Sequence, residues 1–178
     1  MIEKVQESHL YMWLKEKDSK FLSKLDETIE YANTILPQIN NVFASYTVHG
    51  VRHSINVMEY MYALVVDINK LSELEVALLI YSALLHDIGM IANVDEIKEI
   101  KADHAILGER KYSKVLEKYG DEMTALQECV RPVHGKRARD YIETKMDEMI
   151  LSILVDTFIS KISFPMQPGP EIGSISDA

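Results

Sequence analysis

Apolar side chains recur at helical spacing along almost the whole chain, and few stretches alternate between apolar and polar as strands do. This pattern predicts an all-α fold. Helices are expected over residues 1–16, from a cap at Asp18 or Ser19 to Pro37, over 51–69, from Ser72 to His86, over 101–119, over 121–134 and over 140–162, with a loop over 91–95. From residue 164 onward, proline, glycine and serine replace the periodic pattern, so 164–178 is interpreted as a tail or linker.

The most informative stretch is an apolar run that ends in two adjacent polar residues. Ser72–Glu75 has the form of a capping box and is expected to begin this helix. The run Val76–Leu85 then ends at His86 and Asp87, and Gly89 supports a turn there. Buried polar groups need partners, and a divalent metal ion suits both imidazole and carboxylate. The alternative is a buried helix whose last turn meets solvent.

Histidines elsewhere in the chain favour the metal interpretation. The six are His9, His49, His53, His86, His104 and His134. Five of these histidines, all except His9, are distributed with Asp87 and Asp156 over five successive predicted helices. A metal site in an all-helical protein is built from inward side chains of facing helices, and this spread meets that requirement. His9 has no partner in the sequence and is expected to be structural or exposed.

The chain resembles the HD-domain superfamily of metal-dependent phosphohydrolases over residues 45–162. Four residues carry the resemblance in chain order: His53, His86, Asp87 and Asp156. Residues 47–57 resemble the family's first-ligand helix, and residues 83–89 resemble its name-giving motif. The same segments also resemble HD domains found beside ATPase modules in bacterial multidomain proteins. The resemblance implies a helical bundle with a metal site between its central helices.

This resemblance also implies which residues bind metal. The expected ligands are His53, His86, Asp87 and Asp156 for a first ion, and His104 and His134 for a second. Asp87 would bridge the two ions. Two departures bear on the second metal and on substrate contacts: Gly135 stands where binuclear members often have another histidine, and Thr157–Phe158 follows Asp156 where many members have an arginine. The cofactor is expected to be one or two divalent ions, of Mn, Fe, Mg, Ni, Co or Zn.

Three further residues are candidates for binding substrate. His49 lies one helical turn before His53 and either contacts substrate or merely begins the helix. Lys136 and Arg137 belong to a short basic patch that can hold a phosphate, although surface solubility explains them equally well.

His86 and Asp87 are the expected catalytic residues, with Asp87 orienting a water molecule or taking its proton.

Composition narrows the function further. The 178 residues carry a net charge of −9, which argues against general nucleic-acid binding but allows a small phosphorylated substrate beside a metal ion. Cys129 is the single cysteine, so the chain cannot form an internal disulfide and a reducing compartment is natural. No apolar stretch has the length to span a membrane. A cytoplasmic location is therefore expected. The predicted organisation is N-terminal helices over 1–44, packed on an HD-type domain over 45–163, with the tail beyond.

The leading hypothesis is metal-dependent hydrolysis of a phosphate ester, in a nucleotide or a related compound, by an activated water. The chain shows no P-loop, serine nucleophile elbow or catalytic cysteine site that would favour a covalent mechanism. Two alternatives stay open. A set of six His and Asp ligands in this fold can hold two irons and activate oxygen, or the domain can be a non-catalytic module that senses a nucleotide.

Overall fold

Helices make up every regular element that the computed structural model describes, which covers residues 2–44 and 50–145. The α-helices α1 to α10 span Ile2–Gln6, His9–Glu16, Leu22–Ile35, Asn40–Phe43, Val51–Leu64, Glu73–Leu85, Val94–Lys101, Tyr112–Tyr119, Glu122–Val130 and His134–Lys145. Short 3-10 turns lie at Leu36–Ile39, Ile68–Lys70, Ile88–Met90 and Arg131–Val133. Within these two ranges the only extended pairing is an isolated bridge between Leu107 and Arg110. The all-α prediction is confirmed.

Helix α6 is the central element of the core. Its predicted capping box is present: the Ser72 hydroxyl accepts from the Glu75 amide, and the Glu75 carboxylate accepts from the Ser72 amide. Eight of its 13 residues are buried, and α2, α3 and α5 pack against it. Each large apolar side chain buried here contributes about 1.5–3 kcal/mol. The end of α6 is therefore held firmly in place, and His86 follows it directly.

The N-terminal region differs from its prediction in two ways. The helix expected over 1–16 is divided into α1 and α2, with buried Ser8 at the break. Neither Asp18 nor Ser19 caps α3. Instead, Asp18 adopts a left-handed φ of 49° and Ser19 donates its amide to the Leu14 carbonyl, which is the Schellman ending of α2. The two residues therefore end α2, and Ser19 also accepts the Phe21 amide on its hydroxyl and the Leu22 amide on its carbonyl, at 3.5 and 3.2 Å, in the turn that leads into α3.

The helix predicted over 101–119 is present only over its last part, as α8, and part of the loop predicted over 91–95 is helical. Asn93 caps α7, which begins at Val94. Asp103 has a left-handed φ of 58°, and the amide of His104 bonds back to the carbonyl of Glu99. This second Schellman ending stops α7 at Lys101, and the chain becomes helical again only at α8.

Three other helix limits also differ. Pro132 lies in a 3-10 turn that separates α9 from α10, because proline cannot donate the amide that a continuous helix requires. As a result α10 begins at His134 and not near residue 140. The helix predicted over 51–69 ends at Leu64, since Val65 is extended.

Residues 146–178 lie outside the described ranges, and so do the predicted end of the last helix and the predicted tail. The described helices fall in a single compact unit, Met1–Lys145. The domain limits expected at 44/45 and 163/164 stay predictions. Across the described residues, no helix alone has the length and apolar character to cross a membrane, although Glu73–Met90 and Val94–Lys101 pass that test as a bent pair.

Candidate metal centre

The end of α6 presents two polar side chains at the edge of the core. The amide of His86 still bonds to the Ser82 carbonyl, so His86 completes the last helical turn. Asp87 then begins the 3-10 turn, with its carbonyl accepting from the Met90 amide. This change of backbone geometry lets adjacent residues point to one place: His86 Nε2 lies 3.0 Å from Asp87 Oδ2.

Helix α5 contributes the third side chain. His53 is the third residue of α5, which packs against α6. Its Nε2 lies 3.3 Å from Nε2 of His86 and 3.6 Å from Oδ2 of Asp87. These three side chains form a group whose ligand atoms all lie within 4.8 Å of one another. The structure thus brings together side chains that lie 33 positions apart in the chain, and their roles as metal ligands stay predictions.

The separations within this cluster fit ligands of a single cation. Two ligands about 2.1 Å from a shared ion in tetrahedral or octahedral geometry lie about 3.0–3.4 Å apart. The three measured separations, 3.0, 3.3 and 3.6 Å, fall at or near that range. Two imidazoles and one carboxylate also form a donor set that suits first-row divalent metals. The residues present therefore fit a divalent ion.

A neighbouring carbonyl orients His86 for this role. Its Nδ1 lies 3.1 Å from the backbone oxygen of Ala83, at the distance of a hydrogen bond. A donor at Nδ1 leaves the lone pair of Nε2 directed toward the cluster, as in many metal sites. The hydrogen bond to Asp87 raises the pKa of His86 above its usual value, against the opposing effect of burial. A metal ion would replace the proton that this arrangement favours.

The cluster is open to solvent on one side. The side chains of His53 and His86 are 36% and 38% exposed, whereas that of Asp87 is 12% exposed. The carboxylate is thus held in the protein while the two imidazoles border the surface. A ligand can approach the cluster from the side of the imidazoles.

Helix α10 packs on the turn that follows Asp87. A Cβ atom added to Gly89 would lie 1.9 Å from the carbonyl oxygen of His134 and 2.5 Å from the amide nitrogen of Ala138. Only glycine permits that approach. The glycine of the predicted motif therefore has a packing function: it lets α10 pack against the turn that follows Asp87.

Arg137 also holds this turn in place. From α10 its guanidinium donates to the carbonyl oxygens of Gly89 and Ile91, at 2.8 and 2.6 Å, and pairs with Glu96 at 2.5 Å. The side chain is only 17% exposed. The sequence left two roles open for Arg137, binding a substrate phosphate or adding charge to the surface. The partners in the structure are the backbone and an acidic residue far away in sequence, which no local pattern identifies.

The other predicted site residues are not members of the cluster or lie outside the described ranges. The side chain of His104 is 70% exposed, and its Nδ1 lies 3.3 Å from Oε2 of Glu99. Its backbone amide is bonded to the Glu99 carbonyl at the end of α7. His134 begins α10, and its Nδ1 lies 2.6 Å from the Arg131 carbonyl oxygen. Neither belongs to the three-residue cluster. Their roles as ligands of a second metal stay predictions.

Three substrate and metal candidates remain. Lys136 is exposed on α10, and its role in binding substrate stays a prediction. His49 and Asp156 lie outside the described residues, so the fourth ligand expected for the first ion and the contact expected from His49 also stay predictions.

Comparison with known families identifies the domain. The family HD-CE matches residues 43–163, a range that includes α5 to α10 and all three residues of the cluster. No curated protein and no solved structure matches the chain.

Proposed function

Since the chain belongs to the HD-CE family of HD-type domains, we propose that it is a metal-dependent phosphohydrolase. The supporting observation is the cluster of His53, His86 and Asp87, with donor atoms spaced as ligands of a common ion are. The proposed substrate is a nucleotide or a related phosphate ester. The proposed reaction is hydrolysis of a phosphomonoester or phosphodiester bond.

In this proposal all three side chains bind the ion, and the carboxylate also accepts a proton. His53 and His86 hold a divalent ion through Nε2, and Asp87 holds it through a carboxylate oxygen. A bound divalent ion supplies a Lewis acid for the phosphoryl oxygens and an activated water for the attack. Asp87 lies inside the protein and next to both imidazoles, where a second carboxylate lone pair can accept a proton from the water.

The charge of the protein supports an ion-dependent reaction over a reaction driven by basic residues alone. The chain carries a net charge of −9, which repels phosphate at long range. Arg137 already bonds to the turn and to Glu96, so its charge is largely compensated. A divalent ion between the histidines would supply the positive field that a phosphate ester requires.

Hydrolysis with one ion requires fewer ligands than oxygen activation by two irons. Among residues 2–44 and 50–145 a single three-residue cluster is present, and His104 and His134 lie outside it. A di-iron centre needs a second set of ligands beside the first. Single-ion hydrolysis needs only the cluster already assembled, together with a substrate that reaches its open side.

Elemental analysis of the purified protein, followed by assays with that metal, tests this proposal. The expected result is bound divalent metal and hydrolysis of at least one phosphomonoester or phosphodiester in a nucleotide panel. His86→Ala and Asp87→Ala are expected to lose both metal and activity. His9→Ala is the matched control, because His9 also pairs with a carboxylate, that of Glu59, but belongs to no group of three ligands among residues 2–44 and 50–145.

Three outcomes would contradict the proposal. Full activity in metal-free Asp87→Ala would exclude an ion-dependent reaction. A coloured di-iron centre that reacts with oxygen would favour the oxygenase alternative. Tight nucleotide binding without turnover, across Mn, Mg, Fe, Co and Ni, would show a sensing module.

A further inference from the structure

A groove that combines aromatic and cationic side chains lies at the start of α6. The group of His53, His86 and Asp87, called the metal cluster below, lies at the other end of this helix. The groove has a volume of about 540 Å³ and is bordered by Trp13 of α2, by Lys17, Lys20 and Phe21 of the α2–α3 connection, and by residues at the start of α6. The groove is shallow and open to solvent, so a ligand would lie against its side chains and stay partly exposed. Helix α6 separates the two places by 13 residues, or about 20 Å at the rise of an α-helix.

A lysine ammonium group lies over each of the two aromatic rings of the groove. The Nζ of Lys17 lies 4.6 Å from the centre of the Trp13 ring, and that of Lys20 lies 5.3 Å from the centre of the Phe21 ring. Both distances are within the range of cation–π attraction. Neither lysine forms an ion pair with any residue of the described ranges, so both ammonium groups keep their charge available.

The backbone fixes where these side chains lie. Asp18, with its left-handed φ, and buried Ser19 form the Schellman ending of α2 between the two lysines. The indole nitrogen of Trp13 donates to Asn69 at 3.3 Å, which ties α2 to the segment after α5. The groove is therefore built from side chains on a defined turn.

Charge and shape together indicate the ligand. The groove is bordered by two lysines and one carboxylate, that of Glu73, in a chain whose net charge is −9. At the start of α6 the Glu75 amide is already bonded to the Ser72 hydroxyl, and the two lysines are the cationic groups that border the groove. We propose that this groove is a second ligand site, which binds a planar aromatic anion of the nucleoside monophosphate class.

In the bound state the base stacks on an aromatic ring and the lysine leaves that ring for the phosphate. An ammonium group gains more from a phosphate than from a ring, since a hydrogen bond between two charged groups is about twice as strong as a neutral one. The ring face that the ammonium uncovers is then open to the base. The site lies remote from the metal cluster and does not depend on it.

Trp13 is the only tryptophan in the chain, so its fluorescence reports directly on the groove. The experiment is a titration of the full chain with AMP, with adenosine and inorganic phosphate titrated separately. AMP is expected to change the emission saturably, and each fragment is expected to bind at least about tenfold more weakly. Excitation at the red edge of the indole band avoids absorption by adenine.

Variants separate this site from the metal cluster and from general surface charge. Lys17→Gln combined with Lys20→Gln is expected to weaken AMP binding about tenfold or more. Lys118→Gln is the matched control, because Lys118 also lies over a ring, 4.8 Å from that of Tyr119, but borders no part of the groove. His86→Ala is expected to bind AMP as the wild type does.

The inference is overturned by an emission change that does not saturate, or by one that survives the double lysine substitution. It is also overturned if inorganic phosphate binds as tightly as AMP, since the rings would then contribute nothing. Loss of the signal in His86→Ala would assign the binding to the metal cluster. The titrations are made in the presence of EDTA, which removes the divalent ion that the proposed hydrolysis needs, so AMP stays intact and these results do not depend on whether the protein hydrolyses phosphate esters.

Discussion

Gly89 lies directly against the backbone of His134, where a Cβ atom would be 1.9 Å from the carbonyl oxygen. The contact joins the turn after Asp87 to the first residue of α10. Through it, the position of the carboxylate depends on a helix that begins 45 residues later in the chain. The arrangement of the metal cluster is therefore a property of the packed domain as well as of its local motif.

Gly89→Ala is expected to destabilise the protein by about 1–3 kcal/mol or more, because the added methyl group must displace backbone atoms and not a mobile side chain. Metal affinity is expected to fall with it. Thermal unfolding and metal titration measure the two effects. Gly135→Ala is the control: nothing lies within 4 Å of a Cβ there, and alanine in α10 is expected to add up to about 1 kcal/mol. Equal behaviour of the two variants would refute the packing argument.

Arg137→Lys is expected to lower stability by about 2 kcal/mol, since one ammonium group cannot replace three guanidinium contacts with the turn and Glu96. Arg139→Lys tests the same exchange where the arginine is exposed and pairs within α10, and little change is expected there. Chemical denaturation gives both values. A raised KM with unchanged stability in Arg137→Lys would instead support the phosphate-binding role that the sequence indicated.

The sequence predicted those features that depend on neighbouring residues. The capping box at Ser72 and Glu75 is local, and it is present as expected. The helical period of apolar residues predicted the all-α fold correctly. The meeting of His53 with His86 and Asp87 followed from a resemblance between motifs, and the structure places these side chains together.

Features that depend on distant packing or on unusual backbone angles were not predictable. Asp18 and Asp103 end helices in left-handed conformations that usually favour glycine or asparagine, so their sequence indicated continuation or capping. The contacts of Arg137 lie more than 40 positions away. Pro132 did mark the break before α10, and that signal was available in the sequence.

Ser72→Ala is expected to destabilise the protein by about 1 kcal/mol, because the Glu75 amide loses its hydrogen-bond acceptor at the start of α6. Since α6 ends at the metal cluster, metal titration of the same variant shows whether loss of the cap at the start of the helix changes metal affinity at its end. Ser23→Ala changes the same residue type at an exposed position within α3, and no loss is expected. A neutral Ser72→Ala would contradict the capping assignment.

Asp121 is expected to make stability depend on pH. Its carboxylate caps α9, and the hydrogen bond from the Thr124 amide holds its pKa below the usual 3.8. A lowered folded-state pKa stabilises the protein at pH values above the unfolded-state pKa, and this contribution disappears as pH falls through the folded-state value. Asp121→Asn should therefore be less stable than wild type near neutral pH, with a difference that shrinks in acid. Unfolding temperatures measured across pH test this, and a constant difference would exclude it.

The central claim is that His53, His86 and Asp87 bind one ion. Anomalous X-ray diffraction from crystals soaked in Mn or Zn tests it most directly. We predict an anomalous peak about 2.0–2.3 Å from both Nε2 atoms and from a carboxylate oxygen of Asp87. A peak elsewhere, or none between these three side chains in well-occupied crystals, would contradict the metal centre and with it the proposed hydrolase.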